Sequence, residues 1–164
     1  MKTEFEFTIV LGSSAAPHMP DLEDSLFEAG CGDALVCAYG RTVYLEFCRE
    51  ATTAKKALTS AIKDILSAGF NVLSIEEGGC ASISEMSARA GLTRSALDNY
   101  LKGKRGENDF PHPVYGLSTK SPQFQWPEVA NWLYKHEKIE KRVVDVAVAA
   151  QTFELKRYRG TLTT

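Results

Sequence analysis

The sequence predicts an α+β chain: a small sheet-and-helix unit, then a compact helical unit, then one long helix. Three observations carry this. Residues 4–77 alternate short extended runs with two amphipathic helical runs, residues 82–101 hold two short helical runs around Gly91, and no proline or glycine falls between Pro127 and Tyr158. With 164 residues and 44% hydrophobic content, the chain can fill one sizeable core or two small ones, and two are expected. The expected boundaries are 1–79, 80–134 and 135–164.

In "EFEFTIVL", Phe5, Phe7, Ile9 and Leu11 fall on one side of an extended chain, the period-two pattern of a half-buried strand. "PDLEDSLFEAG" spaces Leu22, Leu26 and Ala29 along one helical face and stops at Gly30. "DALVCAYGRTVYLEFC" reads as a hairpin turning at Gly40 and Arg41, with Leu35, Cys37 and Tyr39 alternating in its first strand and Val43, Leu45 and Phe47 in its second. "TTAKKALTSAIKDILSAG" places Leu58, Ala61, Ile62, Ile65 and Leu66 on one helical face, and "FNVLSIEEG" is a last strand. The resulting order, β-α-β-β-α-β, is similar to the split βαβ of ferredoxin-like folds, with both helices on one face of a four-stranded antiparallel sheet. A HicB-type antitoxin domain is the competing small α+β unit, with a different strand order. The uncovered sheet face is expected to meet a second subunit, a protein partner or a small ligand.

Net charge is −2 over the whole chain, which taken alone argues against a nucleic-acid binder. Its distribution is uneven. Residues 1–81 hold 6 Lys and Arg against 12 Asp and Glu, residues 82–126 hold 6 against 4, and residues 127–164 hold 7 against 5. An acidic half and a mildly basic half imply different tasks. Cys31, Cys37, Cys48 and Cys80 are widely spaced without a CxxC pair, so reduced, mostly buried thiols are expected rather than a zinc ribbon or disulfide framework. No apolar run approaches the roughly 20 residues of a membrane span, and "MKTEFEF" lacks the order of a signal peptide. A soluble, cytoplasmic protein with no membrane partner follows.

In "SISEMSARAGLTRSALDNYLKGKRG", Ser82 and Glu85 form an S-x-x-E capping box, so a helix begins at Ile83 and turns Met86 and Ala90 inward. Gly91 permits a sharp turn, Leu92 plugs it, and Thr93 caps a second helix whose buried face is Leu97, Tyr100 and Leu101. Arg94, Ser95, Asp98, Asn99 and Lys102 remain as one outward stripe, and Thr93 stands at its head. Arg toward guanine, Asn toward adenine and Ser toward either are side chains that read base edges. Asp98 has three options: accepting from a cytosine amine, orienting Arg94, or solvation. Beyond the helix, Lys102, Lys104 and Arg105 lie where a duplex backbone would run, and phosphate is their expected target.

The segment "KGKRGENDFPHPVYGLSTKSPQFQWPEVANWL" follows. Phe110-Pro111-His112-Pro113-Val114, "YGLSTKSPQFQW", Pro127-Glu128-Val129 and Trp132-Leu133 resemble, in that order, the FPxP segment, hairpin wing and closing helix of excisionase-like and MerR-like winged helix-turn-helix proteins. The resemblance covers about residues 81–134. It implies double-stranded DNA as the partner and Lys120 on the wing as a phosphate contact, although family members often carry several basic residues there.

From Pro127, Val129, Trp132, His136, Ile139, Val143, Val146, Ala150 and Phe153 recur in steps of three and four, a heptad seam. Ile139, Val143, Val146, Ala150 and Phe153 are its expected dimer-forming part, with Lys135 and Glu140 flanking and His136 fixing register. The alternative folds this helix back on the first unit, and "VVDVAVAA" also reads as a strand.

His18, His112 and His136 are scattered, and no HExxH, G-x-S-x-G or Walker loop is present. Gly12-Ser13-Ser14 reads as a plain loop. Neither enzymatic activity nor any cofactor or metal is expected. The leading expectation is a sequence-specific DNA-binding regulator, a repressor acting as a homodimer. The alternatives are an antitoxin whose first unit binds a toxin, and a small-molecule sensor or enzyme using the sheet.

Overall fold

The structure, a computed structural model, describes residues 1–105 and 107–162 and has an α+β fold. Its first elements are β1 (Thr3–Leu11), α1 (Leu22–Ala29), β2 (Ala34–Tyr39), β3 (Thr42–Ala51), α2 (Ala54–Ser67) and β4 (Val72–Ile75). They form an antiparallel sheet in the order β2-β3-β1-β4. Phe5, Phe7, Ile9 and Leu11 of β1 and Val43, Leu45 and Phe47 of β3 are buried against Leu22 and Leu26 of α1 and Ala57, Leu58, Ala61 and Ile65 of α2. Leu66, expected on the buried face of α2, is 53% exposed.

The phase of β2 is the reverse of the sequence reading. Leu35 and Tyr39 are 63% and 84% exposed, whereas Ala34 and Val36 pack against the core. The two-residue turn at Gly40 and Arg41 sets Tyr39 opposite Thr42, so that Val36 meets Leu45 and Ala34 meets Phe47 on the buried side. "ALVCAY" is apolar on both faces, so alternation within it cannot choose between them; the hairpin register does.

β4 pairs with β1 only over Ile9 to Leu11, which leaves the Thr8 N–H beyond its end. A 3-10 turn at Glu76–Gly78 meets that need: the Glu77 carboxylate accepts from Thr8 N at 2.8 Å. β5 (Cys80–Ala81), α3 (Ile83–Ala90), α4 (Arg94–Leu101), β6 (Phe124–Gln125) and α5 (Trp126–Lys135) follow. β5 pairs with β6, and an isolated bridge from Tyr115 to Gln123 extends the same ribbon into the hairpin before it. This half has its own core of Ala81, Met86, Leu97, Tyr100, Phe110, Phe124, Trp126, Val129, Ala130, Trp132 and Leu133.

The expected continuous helix is broken. α5 ends at Lys135 with His136 as its C-cap, Glu137 takes a left-handed φ of 58°, and α6 (Lys141–Leu162) begins afresh. Glu137 N donates to Tyr134 O at 3.0 Å and Lys138 N to Leu133 O at 2.8 Å, the paired bonds of a Schellman motif. Glycine usually marks that motif, so a glutamate there leaves no signal in the sequence.

The seam residues do recur at helical spacing, but they face their own chain. Val146 and Ala150 are buried in the first core, with Phe153 packed on it, while Val144 and Ala147 enter the second, with Ile139 and Val143 against it. α6 therefore joins the two cores, and the expected dimer seam is an intramolecular one. The alternative, in which the helix folds back on the first unit, describes its course. Glu140 bonds Arg142 at 3.1 Å, and the His136 ring lies 3.9 Å from that of Trp132 within the same chain. Gly78 makes the docking close: a Cβ there would stand 2.6 Å from the Ala150 carbonyl carbon. The Glu154 carboxylate closes the joint by accepting from Ile75 N at 2.6 Å.

Candidate nucleic-acid interface

The α3–α4 unit is held from both ends by local chemistry. Ser82 Oγ accepts from Glu85 N while the Glu85 carboxylate accepts from Ser82 N, so the capping box is complete. Gly91, at φ 66°, turns the chain, and Thr93 Oγ1 accepts from Ala96 N at 3.0 Å to start α4. That hydroxyl gives one lone pair to the cap and keeps its proton and a second lone pair.

Leu97 and Tyr100 anchor α4, and the opposite face is open. Arg94 and Ser95 are exposed, and Asp98 and Asn99 are half-buried. Asp98 does not pair with Arg94: its carboxylate binds Lys102 Nζ at 2.7 Å. The pair is exposed, so it contributes only about 0–1 kcal/mol, and the ammonium keeps two further N–H donors.

The basic loop folds back on the helix end. Lys104 N and Arg105 N both donate to the Asn99 carbonyl, at 2.9 and 3.3 Å, so two exposed cationic side chains sit directly past the stripe. Lys120 is exposed at the turn of the hairpin, where Thr119 N and Thr119 Oγ1 both donate to Gly116 O. Tyr115 and Leu117 on the same hairpin are 65% and 66% exposed, which the sequence reading did not single out.

An aromatic cluster fixes α4 to the rest. Trp132 lies 5.1 Å from Tyr100 and 5.0 Å from Phe110, and its Nε1 donates to Asp109 Oδ1 at 2.9 Å. The register of the stripe therefore depends on a side chain more than thirty residues away.

A second feature lies between the units. A cleft of about 890 Å³ is walled by Glu4, Glu6 and Glu46 of the sheet, by Arg89 and Trp126, and by Lys138 after α5. The acidic positions are visible as the outward half of the β1 and β3 alternations; no pattern announces the opposing wall, which comes from distant sequence. Arg89 stands 5.5 Å over the Trp126 ring, and its Nη1 is buried without a hydrogen-bond partner among the described residues.

Glu77 lines this cleft, and its carboxyl is pushed up to about 7, chiefly by burial, against the opposing pull of Thr8 N–H and Arg89. Between the ordinary carboxylate range and about pH 7 the folded chain holds this proton more tightly than the unfolded chain. Stability therefore falls as pH rises through that window, and the cost is complete above it. Glu77→Gln is expected to exceed the parent in stability at about pH 8 by on the order of 1–3 kcal/mol and to flatten the slope below neutrality. Thermal melts of both proteins across pH check this, and parallel profiles would contradict it.

All four cysteines are free, but only Cys31 is buried, so the expectation of mostly buried thiols is corrected. Burial, as the largest cause, pushes each thiol up, Cys31 to about 11, and none is held as a ready thiolate. No helix among the described residues is long and apolar enough to cross a membrane. No family model matches the chain, and no curated protein or solved structure matches it.

Proposed function

We propose that the chain is a cytoplasmic, sequence-specific DNA-binding regulator in which α4 reads base edges in a major groove and the loop after it grips phosphate. The observation that carries this reading is the stripe of exposed Arg94 and Ser95 and half-buried Asn99, ending in a loop that is hydrogen-bonded back onto the same helix. Two short capped helices, followed by a hairpin and a closing helix, match the order of a winged helix-turn-helix, the family that the "FPHPV" and "WL" segments resemble. Occupation of promoter DNA would make it a repressor, and a two-fold dimer would set two copies of α4 about one DNA turn apart.

Quantitative gel shifts test the division of labour. Arg94→Ala and Asn99→Ala should each weaken specific binding by about 1–3 kcal/mol and relax sequence preference, without loss of fold. Lys104→Ala and Arg105→Ala should weaken all sequences alike and lower the salt slope by about one. Identical behaviour of all four variants across a salt series would contradict the assignment.

The cleft favours a second reading, a small-molecule sensor using the sheet face, because its volume of about 890 Å³ is that of a ligand site. A small molecule that co-purifies and raises the melting temperature, with no retardation of any DNA, would select that reading.

A further inference from the structure

β2 is an edge strand, with β3 on one side and no strand on the other among the described residues. Its backbone shows which groups that edge presents. Cys48 N donates to Asp33 O at 3.1 Å, so Asp33 and Cys48 form a hydrogen-bonded pair. By antiparallel alternation Leu35, Cys37 and Tyr39 also direct their N–H and C=O groups to β3, and Ala34, Val36 and Ala38 direct theirs outward. Ala34 N confirms the parity by turning away from β3 to donate to Cys31 O at 3.1 Å. The free edge therefore offers the C=O of Ala34 and both backbone groups of Val36 and Ala38.

We propose that two copies of the chain join along this edge, β2 antiparallel to β2 about a two-fold axis at Val36, so that the two sheets become one. Every donor that the edge offers finds an acceptor in that register. Val36 N–H of each copy meets Val36 C=O of the other, and Ala38 N–H meets the other copy's Ala34 C=O. Ala34 N–H, which would otherwise meet the other copy's Ala38 C=O, is already satisfied within its own chain, so the pairing forms four interchain bonds and leaves Ala38 C=O to solvent.

The side chains agree with the backbone. Natural edge strands are commonly guarded by charges, prolines or bulges, and "ALVCAY" has no charge, no proline and an uninterrupted register with β3. In the two-fold register Leu35 faces the second copy's Cys37 and Tyr39 faces its Asp33, which covers two of the most exposed apolar side chains of the sheet and brings no like charges together. A second copy meets these requirements through its own symmetry. The pairing rests on strand geometry alone and stands whether or not the protein reads DNA, although it supplies the two-fold that a two-site operator calls for.

Light scattering on the full chain is expected to give the mass of a dimer at micromolar concentration. Leu35 and the second copy's Cys37 form a non-hydrogen-bonded pair across the axis, with Cα atoms about 4.5 Å apart, inside the range a disulfide spans. Under a mild oxidant, Leu35→Cys should become a covalent dimer that reductant reverses, with peptide mapping showing residue 35 joined to Cys37. The double variant Leu35→Cys with Cys37→Ser should not cross-link. A monomeric parent, or a dimer in which residue 35 does not join Cys37, as when the open sheet face or a captured foreign strand provides the contact, would overturn the pairing. Both readouts are taken without DNA, so failure of the DNA reading leaves them untouched, and a monomer that still selects an operator would overturn the pairing alone.

Discussion

Trp132→Ala should lower stability by about 3–5 kcal/mol, the usual cost of deleting a large buried aromatic. Trp132 is only 7% exposed, packs against Tyr100, Phe110 and His136, and donates from Nε1 to Asp109. Its removal takes away the surface on which the inner face of α4 rests and leaves the Asp109 carboxylate without that donor. Urea titration reads the loss, and DNA binding should fall with the folded fraction. Trp132→Phe, which keeps most of the packing and deletes the hydrogen bond, should cost only on the order of 1 kcal/mol. An unchanged midpoint for the alanine variant would show that the aromatic cluster does not hold α4 in place.

Arg49→Ala should destabilise by about 2–3 kcal/mol, through loss of a buried guanidinium that hydrogen-bonds two more exposed carboxylates. Arg49 is 7% exposed in a strand whose neighbouring inward positions are apolar. Its Nε and Nη2 fork onto the Asp33 carboxylate at 2.7 and 2.9 Å, Nη1 reaches Asp64 at 3.0 Å, and Nη2 also donates to Gly30 O at 2.8 Å. One guanidinium thus ties β3 to α2 and to the loop after α1. Removing it leaves two carboxylates facing each other across the space it filled. Asp33→Asn and Asp64→Asn added to Arg49→Ala should therefore recover part of the loss, a non-additivity that a double-mutant cycle reads directly. If the aspartate changes added their own cost in full, the network would not be the cause.

What the sequence disclosed and what it hid follow one physical rule. β1, α2, the capping box at Ser82 and Glu85, and the turn at Gly91 are decided by neighbours within a few residues, and each stands where its pattern put it. The phase of β2 is not legible because both of its faces are apolar, and only its register with β3 distinguishes them. The break after α5 was invisible because Glu137 occupies a left-handed position that glycine ordinarily signals. The seam of α6 was read correctly as an apolar stripe and assigned to the wrong partner, since periodicity says that a face is buried but not by what. Of the candidate interface, the exposure of Arg94, Ser95 and Lys102 is legible in the spacing, whereas the half-burial of Asp98 and Asn99, the Asp98–Lys102 pair and the fold-back of Lys104 and Arg105 onto Asn99 need coordinates.

Base reading by α4 is tested by selection of bound fragments from a random duplex pool, run in parallel with the parent protein and Asn99→Ala. The parent should enrich a short motif occurring as two related half-sites about one helical turn, or a multiple, apart, and Asn99→Ala should lose preference at one position of each half-site. A pool that stays random after repeated rounds with the parent, at low as well as moderate salt, would contradict it.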